Sequence, residues 1–380
     1  MYNDFQHVPG TKRRILIYLF GSLGDTLVAI PALRAVRRHF HDAELVLLQN
    51  IPPHGNIVRA AQVIPEDLVD DCLEYKNSPG FFAKILDFIR LSGKLRKQNF
   101  ETAVYLVISE RAARSVKRDR LFFRAAGIKF FFGFHAFSDE QLYPRDATGA
   151  PLMTKSEVER KIERLTADGV QILPSDLQRP FLHVSKKQIE AAENWLRLRR
   201  AQSGKRLISF APGCKTPANA WSFENFAEIG RRLLATGDCE LVIIGGKAER
   251  AAADELISVW GAGINSAGDF SVRESAALIS SCDFHFGVDT GTTHLAAAVG
   301  VPCFALFHGR DNPGQWYPYG DGHRILFHPV KCAGCRVQIC PIPNHPCMSE
   351  ISVEAVWTNL QEFIEKLDES AARPTQIVAV

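Results

Sequence analysis

The sequence has little of what marks membrane, secreted or nucleic-acid-binding proteins. No apolar run approaches the roughly 18 residues that cross a bilayer, and the longest candidates, such as Val301–Phe307, have the length of buried strands. The formal net charge is only +3 over 380 residues, too small an excess to indicate a duplex DNA partner. Nine cysteines are an odd number, which favours reduced thiols over a disulfide framework. We therefore expect a folded, soluble, cytoplasmic protein without a nucleic-acid partner.

Two widespread phosphate-binding motifs are also missing. Gly309-x4-Gly314 comes nearest to a Walker A motif, but Gln315 stands where that motif needs lysine, and the first glycine-rich turn lacks the Gly-x-Gly-x-x-Gly spacing. The basic residues 12–14 ahead of Ile15–Phe20 imitate a signal peptide, but the apolar stretch is short and no small-residue cleavage site follows it. We interpret it as the first buried strand.

The charge is unevenly distributed along the chain. Residues 1–180 contain 26 Lys+Arg against 21 Asp+Glu, whereas the remainder contains 19 against 21. A basic N-terminal half is suited to a phosphorylated substrate or to the neighbourhood of anionic lipid.

Buried strands alternate with amphipathic helices throughout, which predicts right-handed βαβ units and parallel sheets. The first series comprises Ile15–Phe20, Asp25–His39, Leu45–Leu48, a helix within Phe81–Lys97, Ala103–Val107, Glu110–Ala126 and Phe130–Phe132. A similar series follows Gln171–Val184, a Pro-containing segment that we interpret as a linker. We predict two Rossmann-like, doubly wound α/β domains, at residues 1–180 and 181–350, with a C-terminal helix and tail at 351–380. Ligands are expected in an inter-domain cleft at the carboxyl ends of both sheets.

Two strand-to-helix turns contain an aspartate suited to chemistry. In Gly21-Ser22-Leu23-Gly24-Asp25-Thr26, Asp25 is placed to act as a general base or, equally, to cap the helix. In Asp289-Thr290-Gly291-Thr292-Thr293-His294, free backbone N–H groups, hydroxyls and the helix dipole are suited to a diphosphate without any metal. The alternative there is again a capping aspartate followed by a structural histidine.

Three further segments are candidates. Gly213, Lys215 and Thr216 form an anion-friendly turn, and Glu249 follows a Gly-Gly turn where an acidic group accepts hydrogen bonds from ribose. Basic residues recur at helical spacing and indicate either a phosphate-binding face or a solvated one: Arg111, Arg114, Lys117 and Arg118. Cys332-x2-Cys335-x4-Cys340-x6-Cys347 has enough ligands for zinc, but its spacing is unfamiliar and we prefer a metal-free thiol loop.

Together these segments resemble the bacterial heptosyltransferase family, glycosyltransferase family nine. The resemblance is carried by Gly24-Asp25 with Pro31-Ala32-Leu33-Arg34, by Asp289-Thr290-Gly291 with His294-Leu295-Ala296-Ala297-Ala298, and by Gly300-Val301-Pro302. It continues through Pro212-Gly213, Trp221, Gly245-Gly246 and Cys340-Pro341 with Cys347-Met348, and so spans nearly the whole chain.

The resemblance implies a GT-B fold and inverting, metal-independent transfer of heptose from ADP-heptose to a phosphorylated lipopolysaccharide core acceptor. It implies Asp25 as the base and no cofactor. It implies that Asp289, Thr290, Gly291 and nearby His294 bind the donor. Together with Thr292 of the same turn, these residues are added to the donor-binding candidates named above. Acceptor-binding candidates are Gly24 and the four basic residues Arg111, Arg114, Lys117 and Arg118. It also suggests peripheral contact with the cytoplasmic face of the inner membrane.

The chain departs from the family pattern at two places. Asn219 stands where many members have lysine before the Trp of the next helix, and His308-Gly309-Arg310 replaces Gly-Pro-Thr after a late strand. Arg310 is our candidate for the missing positive charge. The alternatives are a transferase using another nucleotide sugar for a different glycan, a catalytically silent nucleotide-sugar-binding protein, and a zinc-dependent variant.

Overall fold

The computed structural model describes residues 13–51, 58–76, 78–201, 204–367, 369 and 374–380. The strands are β1 Arg14–Tyr18, β2 Glu44–Ile51, β3 Asp71–Lys76, β4 Thr102–Tyr105, β5 Phe130–Phe132, β6 Arg206–Ala211, β7 Cys239–Ile243, β8 Ile264–Asn265, β9 Phe284–Val288, β10 Cys303–Phe307, β11 Arg324–Phe327 and β12 Gln376–Ala379. The helices are α1 Leu23–Leu27, α2 Ile30–His39, α3 Phe81–Lys97, α4 Ala113–Ala125, α5 Asp139–Leu142, α6 Glu157–Ala167, α7 Pro174–Leu177, α8 Lys186–Arg197, α9 Phe223–Ala235, α10 Arg250–Trp260, α11 Val272–Ser280, α12 Gly291–Ala298, α13 Pro346–Ser349 and α14 Val353–Leu367.

The chain forms two compact units, each built on one parallel sheet. The first unit comprises residues up to Phe137 together with Arg160–Asp176, and its sheet has the strand order β3-β2-β1-β4-β5. β1 lies at its centre, where Ile17 pairs with Leu47 on one side and Val104 on the other. Strands covered on both faces are apolar throughout, which explains the continuous run in β1.

The second unit comprises Ser138–Glu159 and Leu177–Val380, and its sheet has the order β12-β11-β10-β9-β6-β7-β8. Its core is aromatic: Phe286 stacks between Phe210 and Phe304, with ring centroids 5.0 and 5.6 Å apart. Both sheets are parallel throughout, as the alternating pattern predicts.

The unit boundaries differ from the predicted division at residue 180. Ser138–Glu159 belongs to the second unit, where Thr154 N–H donates to Pro313 O, although the prediction assigned it to the first. Residues 351–380 are not separate either, because α14 packs Val356 and Leu360 into the core of the second unit and β12 extends its sheet.

The predicted helix Asp25–His39 is two helices, α1 and α2. Pro31 lies at the start of α2; proline lacks an N–H and its ring clashes with the preceding turn, so a continuous helix is broken there. The predicted linker contains the short helix α7, and four strands were missed: β3, β8, β11 and β12. In the part of the chain that the structure describes, helices fall short of the length and apolarity that a membrane span requires.

Candidate active site

Asp25 lies on α1, just beyond the carboxyl end of the central strand β1. Its Oδ2 accepts hydrogen bonds from the backbone N–H of Ser22 at 2.6 Å and from Ser22 Oγ at 2.7 Å. Ser22 is therefore the N-cap and Asp25 its partner three residues on, rather than the cap itself. Among the described residues, hydrogen bonds to this carboxylate are confined to Oδ2, so Oδ1 is left for another partner.

The backbone of this turn requires glycine at position 21. Gly21 has φ +142°, and a Cβ there would lie 2.5 Å from Asp25 Cγ. Gly24 is buried in the first turn of α1, whereas Asp25 is half-buried. The glycines thus hold the Asp25 carboxylate close to the turn.

The second aspartate, Asp289, follows β9 and is enclosed by two imidazoles. Its Oδ2 lies 2.9 Å from His308 Nε2, and its Oδ1 lies 3.7 Å from His294 Nε2. Burial alone would raise the pKa of this carboxyl, but contacts with His294 and His308 outweigh burial and hold that pKa well below its ordinary value. Thr290, not Asp289, occupies the N-cap of α12.

The residues around Asp289 come from three neighbouring strand ends. Asn219 follows β6 and donates from Nδ2 to the Asp289 carbonyl at 3.1 Å, while His308 follows β10 directly. Asp311 completes a group with Asp289 and His308 whose ligand atoms lie within 4.8 Å of one another. Two carboxylates and an imidazole are a donor set that divalent cations accept. The metal-free reaction stays a prediction.

The threonines of the second turn have different environments. The hydroxyls of Thr290 and Thr292 lie 2.7 Å apart at the start of α12. Thr293 is instead buried, and its hydroxyl donates to Val288 O at 2.7 Å. Of the three threonine hydroxyls predicted to bind the diphosphate, this one therefore faces the core. Gly291 begins α12, where the first backbone N–H groups of a helix have no intrahelical acceptor.

The other donor candidates lie at the ends of β6 and β7. A Cβ on Gly213 would lie 2.6 Å from Glu249 Cγ, and Glu249 Oε2 accepts from Gly246 N–H at 2.7 Å. The predicted ribose acceptor is thus packed directly against the predicted anion-binding turn. Thr216 begins a short 3₁₀ turn and Lys215 is exposed.

Arg310, the predicted replacement for the missing lysine, is engaged within its own unit. Its Nε donates to Val337 O at 3.1 Å and its Nη1 donates to Asp311 at 3.2 Å. Its backbone N–H also donates to His308 Nδ1 at 3.0 Å. This bond assigns the proton of a neutral His308 to Nε2, the atom that faces Asp289.

The predicted basic face divides into two pairs. Arg111 and Arg118 both bind the buried Asp119, with Nη2 to carboxylate distances of 2.9 and 2.7 Å, and both line a pocket of about 250 Å³. Arg114 and Lys117 are exposed and are not among the residues lining this pocket. Arg111 precedes α4 rather than lying on it, and its side chain contacts Asp119 and the ring of Phe20, 4.9 Å away.

Aromatic side chains form much of the wall of this pocket. Tyr18 and Tyr75 share a hydroxyl hydrogen bond of 3.0 Å, and burial raises the pKa of both phenols. Tyr105 beneath them donates to Asp119 Oδ2 at 3.1 Å. The pocket therefore combines apolar walls with two guanidinium groups, two lysines (Lys76 and Lys84) and two carboxylates (Asp87 and Asp119). The excess of cations is suited to a phosphorylated ligand with an apolar portion.

The four clustered cysteines line a smaller pocket of about 120 Å³ and are unpaired. Cys347 is buried, and burial raises the pKa of its thiol, whereas Cys332 and Cys335 are exposed. His345 also lines this pocket.

Two units, each built on a parallel sheet with ligand-suited turns at the carboxyl ends of its strands, form the GT-B type of fold. The solved family 9 glycosyltransferase from Veillonella parvula matches with a TM-score of 0.70 at 18% identity, covering 95% of this chain and 100% of its own. Escherichia coli ADP-heptose LPS heptosyltransferase II matches with a TM-score of 0.62 at 20% identity, covering 93% and 99%.

The family model for glycosyltransferase family 9 (heptosyltransferase) matches residues 89–345, and the chain belongs to this family. Lipooligosaccharide heptosyltransferase 2 of Campylobacter jejuni is 24% identical over 93% of this chain and 98% of its own length. Lipopolysaccharide heptosyltransferase 2 of Salmonella typhimurium is 27% identical over 51% of this chain and 57% of its own length. The chain is thus a glycosyltransferase enzyme.

Proposed function

We propose that this chain transfers a heptose from ADP-heptose to a phosphorylated lipopolysaccharide core acceptor, with inversion at the anomeric carbon and without a metal. In support, relatives along the chain are named lipopolysaccharide or lipooligosaccharide heptosyltransferases, and a structural neighbour at TM-score 0.57 was solved with an ADP-2-deoxy-2-fluoro heptose. We place the reaction at the cytoplasmic face of the inner membrane.

The observation that carries the proposal is the one-sided hydrogen bonding of Asp25. Ser22 holds Oδ2, which fixes the carboxylate while leaving Oδ1 for the proton of an acceptor hydroxyl. That hydroxyl then attacks the anomeric carbon, the bond from that carbon to the diphosphate oxygen breaks, and Asp25 retains the proton. A single displacement of this kind inverts the anomeric configuration.

In this proposal the second unit stabilises the departing ADP. Charge accumulates on the diphosphate as the bond breaks, and the backbone N–H groups at the start of α12 act on it most strongly at that stage. Asp289 lies against His294 and His308 and fixes the orientation of both rings at the edge of this site. Glu249 accepts from the ribose hydroxyls.

The test is incubation of the purified chain with ADP-heptose and a panel of truncated core acceptors, read by mass spectrometry. We expect one heptose to be added to a phosphorylated core acceptor, with the inverted configuration by NMR and with activity retained in EDTA. Transfer from UDP- or GDP-sugars alone would overturn the proposed donor. Activity that EDTA abolishes and a divalent cation restores would overturn the proposed metal independence.

Thermal unfolding, combined with the product assay, distinguishes a protein that only binds ADP-heptose from one that also transfers its sugar. A ligand at 100 times its Kd adds about 2.7 kcal/mol of stability, so stabilisation by ADP-heptose without product on any acceptor indicates a silent binding protein. Stabilisation together with product supports the enzyme.

A further inference from the structure

Helix α3 in the first unit exposes most of its apolar side chains. Of its 17 residues only Leu91 and Leu95 are buried. Phe82 is 83% exposed and Ile89 is 63% exposed, and six large apolar residues of α3 are exposed in all: Phe81, Phe82, Ile85, Leu86, Phe88 and Ile89. In an ordinary surface helix the apolar side chains face the core, so this helix has an outward apolar face that the described residues of its unit do not cover.

These six residues form one continuous face. At about 100° per residue, positions 81, 82, 85, 86, 88 and 89 fall within an arc of roughly 160°. On the neighbouring helix α4, Leu121 is also exposed, and the ring of Phe122 contacts Phe88 edge to face at 5.2 Å. The apolar surface therefore continues from α3 towards α4.

Positive charge surrounds this apolar face. Besides Asp87, which lies 3.9 Å from Arg90, the ionisable residues of α3 are all basic: Lys84, Arg90, Lys94, Arg96 and Lys97. On α4, Arg114, Lys117, Arg120 and Arg124 add exposed cations. Apolar side chains bordered by lysine and arginine are the composition of helices that lie in the interface of an anionic membrane.

We propose that α3 docks onto the surface of an anionic lipid bilayer, with Phe81, Phe82 and Ile89 entering the acyl boundary and the flanking cations binding headgroup phosphates. Charge complementarity selects this partner. A second copy of the chain would bring one cluster of cations against another, which like-charge repulsion disfavours.

The surface also adjoins the pocket that contains Arg111 and Arg118. Lys84, Phe88 and Leu91 of α3 line that pocket, so a glycolipid headgroup held there would lie beside the docked helix. In this respect the inference rests on the proposed function, since a lipid-linked acceptor resides in such a surface. Docking on plain lipid needs no acceptor, and this allows the two proposals to be tested separately.

The test is flotation of the full chain with vesicles that contain no glycan. One set is phosphatidylcholine alone, and the other contains about one third phosphatidylglycerol. We expect flotation with the anionic vesicles and little with the neutral ones, and we expect added salt to weaken it. A wild-type chain that remains in the bottom fraction with both sets would overturn the proposal.

Matched variants assign the binding to α3. The double variant Phe82→Gln/Ile89→Gln keeps good helix formers and should weaken binding about tenfold or more. The control Leu198→Gln removes an equally exposed apolar residue, 79% accessible, from the second unit and should bind as the wild type does. Equal flotation of the double variant and the control would overturn the proposal.

Two further readouts separate the remaining explanations. Light scattering after size exclusion should show a monomer, and a dimer that the double variant splits would assign this face to self-association and overturn the proposal. The double variant should retain wild-type transfer to a delipidated, water-soluble acceptor. If flotation succeeds while the wild type transfers no heptose, the proposed function fails and the docking stands.

Discussion

Asp25 and Asp289 occupy corresponding places in the two units but have opposite environments. Each follows a buried central strand and stands where a helix begins. Within the described part of the chain, half-buried Asp25 is hydrogen-bonded to its own turn through one oxygen, whereas Asp289 is 9% exposed and contacts two imidazoles. The same strand-to-helix turn therefore leaves one carboxylate with an oxygen open to solvent or ligand and encloses the other between two imidazoles, which matches the different roles proposed for Asp25 and Asp289.

The comparison predicts the largest effect for Asp25→Asn. The amide oxygen still accepts from Ser22 N–H, so the turn is retained while the proton acceptor is lost. General base catalysis typically contributes about 10²–10⁴-fold, and we expect kcat to fall by that factor. ADP affinity, measured by calorimetry, should stay unchanged because the donor candidates lie in the other unit.

The control for this variant is Ser22→Ala, which removes the hydroxyl bond at 2.7 Å but leaves the backbone bond at 2.6 Å. It should lower kcat far less than Asp25→Asn does. Wild-type turnover by Asp25→Asn would contradict the assignment of the base.

Asp289→Asn is expected to have the next largest effect, and on donor binding rather than on turnover. The substitution keeps the size of the side chain but removes the negative charge beside His294 and His308. Hydrogen bonds to charged groups are worth about 1.5–3 kcal/mol, so we expect the Kd for ADP to rise about 10–100-fold. Calorimetric titration measures this directly.

The exposed Asp238 in the same unit provides the control, and Asp238→Asn should bind ADP as the wild type does. If Asp289→Asn binds ADP normally and loses turnover instead, the two aspartates do not differ in the way their environments indicate.

The two turns could be predicted from sequence because local rules govern them. A buried strand followed by a glycine-rich turn and an apolar-periodic helix indicates a ligand-binding edge, and both aspartates were found on that basis. The same rule applied to the strand Cys303–Phe307 would have selected His308, which was noted only as a departure from the family pattern. His308 lies beside Asp289 because β9 and β10 are paired in the sheet, and local sequence rules do not predict that pairing.

Features set by contacts distant in sequence were less predictable. Helical spacing grouped Arg111 with Arg114, but the buried Asp119 draws Arg111 inward and leaves Arg114 in solvent. β3 was missed because it is an edge strand with only Leu73 buried, so its sequence lacks an apolar run. α3 fills the segment Phe81–Lys97 within which a helix is predicted, although it directs most of its large apolar residues outward.

A smaller effect is expected within the first unit, where Arg111→Ala should raise the KM for a phosphorylated acceptor about tenfold with little change in kcat. Arg111 lines the 250 Å³ pocket and packs on Phe20, so its loss removes a positioned cation.

The control Arg114→Ala removes an exposed cation and should change KM less than twofold, as is usual for solvated charges. Equal effects of the two variants would favour a diffuse basic face. Circular dichroism checks that the first unit stays folded in Arg111→Ala. Asp119 loses one partner in this variant and keeps Arg118 and Tyr105.

The smallest expected effect is a dependence of unfolding stability on pH. It should differ between the two units because their histidines differ in burial. His285 is fully buried beneath the Asp289 turn, between Ser209 Oγ at 3.0 Å and Thr293 Oγ1 at 3.3 Å, and burial lowers its pKa to about 3. The described histidines of the first unit, His39, His41 and His135, are exposed.

Because the folded pKa of His285 lies below its unfolded value of about 6.5, the unfolded state binds the extra proton between these values. Stability is therefore complete above pH 6.5 and is lost as the pH falls towards 3, by about 1.4 kcal/mol per pH unit for one proton. Thermal unfolding between pH 7 and 5 should show the midpoint of the second unit falling by a few degrees per pH unit. His285→Asn should flatten this slope and His135→Gln should not, since His135 is exposed and lies in the first unit. If His285→Asn leaves the slope unchanged, the effect would be assigned instead to His323, another buried histidine of the second unit, whose pKa burial also lowers to about 3.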